Sequence, residues 1–144
     1  MNILVIDEES LLHQQVDVLL RGKSLYDLYF SYVKEEFCAK IITSHFPDIV
    51  MINLDTFQGK VLNFAMWLQY VNPTIKILGV TSDIKKVYLW ELMSSGFQGC
   101  MDRRSIQNDI VESIDTVFRN GFYFPSDMNF YKEGENKFIP QKFR

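Results

Sequence analysis

The stretch NILVIDEE, residues 2–9, decides the fold: five uncharged residues run directly into three consecutive carboxylates. A short, uninterrupted apolar run of this kind is typical of a strand buried on both faces of a parallel sheet. The carboxylates interrupt the apolar run near the N-terminus after a few residues, so no signal peptide is predicted.

Similar runs recur along the chain and alternate with stretches of helical spacing. The predicted strands are residues 2–6, 27–32, 49–54, 76–80 and 99–101. The predicted helices start near Ser10, Val33, Val61, Ile84 and Ser105, and the fourth extends to Met93. Five strands alternating with five helices indicate an α/β fold with a parallel sheet and right-handed crossovers.

Length and composition bound the function. The 144 residues, 17.0 kDa in mass, suit one domain. A net charge of −3 argues against nucleic-acid binding by this segment, because neutralising phosphates needs clustered Lys and Arg.

Cys38 and Cys100 are interpreted as reduced, buried thiols of a cytosolic protein, and His13 and His45 as surface residues. No apolar stretch reaches membrane-spanning length.

The polar residues that follow the strands are the candidate site. In parallel sheets the functional crevice lies at the carboxyl ends of the strands. The residues predicted there are Asp7, Glu8, Asn53, Leu54, Asp55, Thr81, Ser82, Asp102 and Arg103.

These positions resemble the receiver domain of two-component response regulators over residues 2–120. The resemblance rests on the acidic pair Asp7-Glu8, Pro47-Asp48 before the third strand, Thr81 after the fourth, and Gly96 to Gly99 before the fifth. It implies a flavodoxin-like five-stranded sheet of order 2-1-3-4-5 with five flanking helices. Residues 1–120 are then the receiver-like domain, and the aromatic-rich residues 121–144 an extension or linker that partly packs on it.

The resemblance places the phosphoacceptor at Asn53, where such receivers have Asp. A neutral amide cannot serve as the carboxylate nucleophile that forms an acyl phosphate. Losing this carboxylate also weakens the usual Mg²⁺ site, so Asp7 and Glu8 become a vestigial metal site at which only weak Mg²⁺ binding is expected. Asp55, two residues on, is the alternative phosphoacceptor; Asp7 and Glu8 are less favoured ones.

The switch residues implied by the resemblance are Thr81, Cys100 and Arg103. Thr81 matches the family, whereas Cys100 stands where an aromatic residue is usual and Arg103 where Lys is usual. Because guanidinium is permanently charged and bidentate, we expect Arg103 to neutralise the Asp7-Glu8 pair in place of a metal ion.

Four consecutive large residues in the fourth predicted helix, Val87 to Trp90, must point all round that helix. Val87, Tyr88 and Trp90 are therefore candidate interface residues, because receivers commonly dimerise through the fourth helix, fifth strand and fifth helix. The alternative is that the aromatic tail at Phe122 to Phe124 folds back and covers this face.

The resulting hypothesis is an atypical, phosphorylation-independent receiver domain, not an enzyme, that acts as a cytoplasmic dimerisation module in signalling or transcription control. Its expected partners are a second copy and a sensor kinase or regulatory protein. Residues 120–124 resemble the linker of regulators with a C-terminal helix-turn-helix domain, through which any DNA contact would be made. The alternatives are a receiver phosphorylated on Asp55 and a small-molecule sensor using the crevice near Asp7, Asn53 and Thr81.

Overall fold

A parallel β-sheet forms the centre of the computed structural model, which describes residues 1–32, 40, 42–55 and 60–132. The strands are β1 (Asn2–Ile6), β2 (Asp27–Ser31), β3 (Ile49–Asn53), β4 (Lys76–Thr81) and β5 (Gly99–Asp102). All neighbouring strands are parallel, in the order β2-β1-β3-β4-β5. The predicted α/β fold and strand order are confirmed.

Helices cover both faces of this sheet. They are α1 (Ser10–Leu20), α2 (described at residues 42–45), α3 (Val61–Val71), α4 (Leu89–Ser94) and α5 (Ile106–Phe118). The start of the second predicted helix, with Cys38, lies outside the described residues. None of the helices in the described part of the chain has the length and apolar character needed to cross a membrane.

Two apolar clusters form the core, one on each face of the sheet. Side chains of α1 and α5 pack together on one face, and side chains of α2, α3 and α4 on the other. All five residues of β3 are buried, as the unbroken apolar run predicted. Burial on both faces fixes the strand ends, and with them the polar residues that follow.

The predicted helix from Ile84 to Met93 is wrong in its first half. A 3₁₀ turn covers Ile84–Lys86, and Val87 and Tyr88 are extended before α4 begins at Leu89. The Asp83 side chain caps the turn by accepting the Lys85 N–H, and Tyr88 forms a parallel β-bridge with Asn129. The bridge needs extended backbone at Tyr88, and the helix therefore cannot continue through it.

Residues 121–132, here called the strap, fold back onto the domain. Tyr123 lies along β5, where its N–H donates to the Gln98 carbonyl at 3.0 Å and its carbonyl accepts the Cys100 N–H at 2.8 Å. Phe124 and Met128 pack against the core cluster on the α3 side. The described part of the predicted extension thus packs on the domain; the boundary at residue 120 remains a prediction.

His13 is not at the surface as predicted. It is 7% exposed, and its Nε2 donates to the Ser31 carbonyl at 3.0 Å. Phe30 and Tyr32 of the edge segment around β2 contact the ring. His45, by contrast, is exposed and stacks on Tyr29.

Candidate functional site

The predicted site residues meet at one edge of the sheet. Asp7 follows β1, Asn53 ends β3, Thr81 ends β4 and Asp102 ends β5. The register places Asn53 opposite Val80, and Thr81 opposite Asp102. Because all strands are parallel, these side chains share the carboxyl edge at which ligand sites of open α/β sheets lie.

Asp7 is a fully buried carboxylate held by N–H donors. Its Oδ1 accepts the Glu9 N–H at 3.2 Å and the Asn53 side-chain amide at 3.0 Å, and its Oδ2 accepts the Leu12 N–H at 3.1 Å. Three donors compensate the cost of burying this charge. Glu8, the other member of the predicted acidic pair, is exposed.

Asn53 links Asp7 to Asp55. Its amide nitrogen donates to Asp7, and its Oδ1 accepts the Asp55 N–H at 2.9 Å. The side chain is 4% exposed. An aspartate here would keep the second hydrogen bond and lose the first, because an ionised carboxylate only accepts.

Asp55 is exposed at the mouth of the site, and its two oxygens have different partners. Oδ1 accepts the Thr81 hydroxyl at 2.8 Å, and Oδ2 accepts the Ser82 N–H at 2.9 Å. We call this set of two hydrogen bonds the Asp55 latch. It lies in an open cleft of about 340 Å³ lined by Leu54, Asp55, Thr81, Ser82, Asp83, Lys86 and Val87.

Arg103 does not take the role expected from the sequence. Among ion pairs of the described residues none joins it to Asp7, and its buried Nε and Nη2 have no hydrogen-bond partner there. The neighbouring Arg104 instead binds Asp102 at 2.7 Å. This hydrogen bond holds the pKa of Asp102 below its usual range. Asp7 accepts its hydrogen bonds from neutral donors instead.

Cys100 lies inside the sheet, where it contributes to the apolar core. Its side chain is fully buried, and burial raises the pKa of the thiol well above its ordinary value, with the charges of Asp102 and Asp55 acting in the same direction. A buried, protonated thiol is a poor nucleophile. The geometry therefore favours a packing role for Cys100.

Carboxylate and carbonyl oxygens are the ligands that Mg²⁺ prefers in proteins. Those of Asp7 and Asn53 accept N–H groups here, and these donors would compete with a cation for the same oxygens. Within the described ranges, no three His, Cys, Asp or Glu side chains are grouped so that they could hold a metal ion.

The strap also reaches α4, through Asn129 and Phe130, although the fold-back alternative from the sequence placed the covering residues at Phe122 to Phe124. Asn129 and Phe130 place their carbonyls on the N–H groups of Leu89 and Trp90, at 2.9 and 2.7 Å. The first N–H groups of a helix have no acceptor within the helix itself, and α4 has no side-chain cap, so the strap carbonyls take that place. The candidate interface residues Val87, Tyr88 and Trp90 are only partly exposed. The aromatic content of residues 122–131 was the available signal.

Comparison with curated proteins finds a distant relative. No protein-family model matches the chain. Fimbriae Z protein of Escherichia coli (strain K12) is 18% identical over 135 residues, which are 93% of this chain and 64% of that protein. The chain thus spans less than two thirds of the length of this relative.

Comparison with solved structures identifies the fold. The isolated REC domain of RcsB from Salmonella enterica serovar Typhimurium, in the apo form, has a TM-score of 0.77 at 10% identity, with 88% of this chain and 93% of that chain covered. A structure of two RcsB dimers bound to two parallel DNAs has a TM-score of 0.74 at 10% identity, with 88% and 64% covered. The chain therefore has the fold of a response regulator receiver domain.

Proposed function

We propose that this chain is a receiver domain whose conformation is set without phosphorylation, and that it acts as an interaction module in a signalling or transcription-regulating protein. The observation that carries the proposal is the Asp55 latch. A carboxylate of the chain itself accepts the Thr81 hydroxyl and the Ser82 N–H. An incoming anion at this strand end would have to displace it.

The chemistry at Asn53 supports the same conclusion. Its nitrogen lone pair is delocalised into the carbonyl, so the side chain cannot attack phosphorus to form an acyl phosphate. Both ends of the amide are also engaged, at Asp7 and at Asp55. In this proposal Asn53 is a positioning residue, and Mg²⁺ binds only weakly.

Phosphorylation of Asp55 is the second candidate, because its carboxylate is exposed at the open cleft. Attack by either oxygen on a phosphodonor would break a hydrogen bond of the Asp55 latch. A small-molecule sensor, the remaining alternative, would use the crevice near Asp7, Asn53 and Thr81, and Thr81 also lines this open cleft. Its carboxylates favour a cationic or hydrogen-bond-donating ligand.

The proposed partners follow from the comparisons. RcsB is described as dimers bound to DNA. By analogy we expect self-association here and a sensor kinase or regulatory protein upstream, in the cytoplasm, with DNA contacted through residues outside this chain. Association through α4, β5 and α5 would have to use or displace the strap, which is hydrogen-bonded to β5 and α4.

Intact-protein mass measurement tests the proposal. The chain is incubated with Mg²⁺ and acetyl phosphate beside a phosphorylatable control receiver. The expected result is no mass gain under conditions that modify the control. A gain of one phosphoryl group that Asp55→Asn abolishes would establish the second candidate instead, and Asp83→Asn is the matched control at the same cleft.

A further inference from the structure

The segment between β4 and α4 is held at both ends by other parts of the chain. At its start, the Asp55 latch fixes the Thr81 hydroxyl and the Ser82 N–H. At its end, carbonyls of the strap accept the N–H groups of Leu89 and Trp90. The Asp55 latch and the strap are therefore attached to the same short stretch of backbone.

A series of hydrogen bonds continues inward from the Asp55 latch. The Thr81 hydroxyl donates to Asp55, and its oxygen accepts the Asp83 N–H at 3.2 Å. The Asp83 side chain in turn accepts the Lys85 N–H at 3.1 Å. The position of Thr81 is thus linked to that of Lys85 through Asp83.

Lys85 carries the series onto the strap. Its ammonium donates to the Asp127 carbonyl at 2.6 Å, and its own carbonyl accepts the Asn129 side-chain amide at 3.5 Å. Hydrogen bonds with a charged donor are roughly twice as strong as neutral ones. Tyr88 lies further along the segment and pairs with Asn129 in a β-bridge. A continuous path of contacts therefore runs from Asp55 to the strap.

The turn in the middle of this path is a fixed unit. Ile84 is 1% exposed and belongs to the core cluster on the α3 side of the sheet. The Lys86 N–H donates to the Asp83 carbonyl at 3.1 Å, which closes the 3₁₀ turn. Because packed interiors transmit strain instead of absorbing it, a change at one end of the segment should reach the other.

We propose that the Asp55 latch and the strap are two ends of one switch: opening of the Asp55 latch loosens the strap from α4, and release of the strap loosens the Asp55 latch. The two effects belong together, because the coupling free energy between two sites is reciprocal. The inference rests on the proposed function and deepens it, since it names the element that the site at Asp55 regulates.

The open cleft is where the switch is operated. Asp55, Lys86 and Val87 line it, so a group that binds there meets both the Asp55 latch and the turn. Drawing the Asp55 carboxylate away from Thr81 leaves a hydroxyl that is free to rotate, which weakens the first step of the path. The start of the strap is held separately, by the hydrogen bonds of Tyr123 to β5, and should stay in place.

Amide hydrogen exchange of the 144-residue chain, followed by NMR, tests the path in the direction of the strap. Asp55→Ala opens the Asp55 latch and leaves every strap residue unchanged. Exchange of the Leu89 and Trp90 amides should become about two- to fivefold faster, which is the usual size of coupling between groups in contact. Exchange of the Tyr123 amide should stay the same, because its contact with β5 lies outside the path.

Asp17→Ala is the control for overall stability. Asp17 is a carboxylate of α1 that pairs with Arg21. Its removal weakens the fold at a place that the path does not include. Exchange of the Leu89 and Trp90 amides should therefore match that of the unmodified chain.

Lys85→Met tests the path in the opposite direction. It removes the ammonium that contacts the strap and keeps a side chain of similar length. Exchange of the Ser82 amide, which donates to the Asp55 latch, should become faster by a similar factor. Lys86→Met is the matched control: it removes the neighbouring ammonium, which pairs with Asp83 at 3.9 Å, and should leave the Ser82 amide unchanged.

Three results would each overturn the inference. The first is Leu89 and Trp90 amides that exchange in Asp55→Ala as they do in the unmodified chain. The second is a Ser82 amide that does not respond to Lys85→Met. The third is equal acceleration in Asp17→Ala, which would show that these amides follow overall stability and not the Asp55 latch.

These measurements use no phosphodonor. The switch fails if the amides do not respond, whatever the mass measurement with acetyl phosphate shows. The proposed function fails if the chain gains a phosphoryl group, whatever the amides show. The two failures are therefore separately visible.

Discussion

The carboxylate of Asp55 accepts the hydroxyl hydrogen of Thr81 at 2.8 Å, which joins the loop after β3 to the end of β4. Its second oxygen accepts the Ser82 N–H. Two donors that an external anion would meet at the end of β4, the Thr81 hydroxyl and the Ser82 N–H, are therefore already paired with an anion of the chain itself. This relationship underlies the proposal of a receiver that is set without phosphorylation.

Breaking the Asp55 latch should reveal its coupling energy. Asp55→Ala removes both hydrogen bonds of the Asp55 latch, and Thr81→Val removes the hydroxyl that donates to Asp55. Each should lower the free energy of unfolding by about 1 kcal/mol or somewhat more, because the site is partly exposed. The double variant should lose less unfolding free energy than the two single variants together, and the difference, the coupling energy, should be about 0.5–1 kcal/mol. Urea denaturation measures all four proteins. As a control, Asp55→Ala combined with the distant Asp115→Ala should lose as much unfolding free energy as the two single variants together. If the losses of Asp55→Ala and Thr81→Val also add up in this way, the role of the Asp55 latch is contradicted.

Restoring an aspartate at position 53 should create a metal requirement. Asn53→Asp replaces the donor that holds Asp7 by a second carboxylate, which should cost about 1–3 kcal/mol without metal. Mg²⁺ should recover part of this loss, because it binds both carboxylates in the folded state only. Melting temperatures in EDTA and in ~10 mM Mg²⁺ measure the effect. Asn53→Ala loses the same hydrogen bond without adding charge and should not respond to Mg²⁺; an equal response of both variants would refute the explanation.

Cys100 should make stability fall at alkaline pH. Burial raises the pKa of its thiol in the folded state, whereas in the unfolded chain the thiol loses its proton above about pH 8.5. Above that pH the unfolded state binds fewer protons, so unfolding becomes easier by up to about 1.4 kcal/mol per pH unit from this one group. Urea denaturation between pH 7 and roughly 10 should show a steeper decline for the unmodified chain than for Cys100→Ala. Parallel declines would mean that the thiol titrates alike in both states.

A methyl group at Gly99 should dislodge the strap. A Cβ there would lie 2.8 Å from the Tyr123 carbonyl oxygen. This contact is too short, and a backbone oxygen cannot move aside by changing rotamer as a side-chain atom can. Gly99→Ala should therefore cost about 1–3 kcal/mol and speed hydrogen exchange at the Tyr123 and Cys100 amides. In Gly79→Ala the new Cβ meets the flexible end of Leu54 and should leave this exchange unchanged. Unchanged exchange in Gly99→Ala would show that the strap is not held there.

Much of the fold follows from short-range patterns. Strands β1 and β3 each contain four consecutive apolar residues, and such runs are typical of strands buried on both faces of a parallel sheet. Asp7 follows β1 and Asn53 ends β3, so both are expected at the same edge of the sheet, because parallel strands have their carboxyl ends at one edge. The position of the amide between Asp7 and Asp55 is a consequence of that register.

Other features depend on partners distant in sequence. Val87 and Tyr88 lie in a sequence that suits a helix, yet Tyr88 is extended because Asn129 pairs with it. His13 has an ordinary surface pattern, yet it is buried because β2 places the Ser31 carbonyl over it. Local preference is small compared with the contacts that tertiary packing supplies.

The sequence by itself determined the parallel sheet, its order through the family resemblance, and the neutral side chain at position 53, because these depend on periodicity and residue identity. Only the tertiary structure decided that Arg103 does not pair with Asp7, that Asp55 holds Thr81, and that the strap lies along β5. The reason is physical: a polar group of a side chain or of the backbone binds whichever partner the fold brings within about 3 Å, and short-range patterns do not specify that partner.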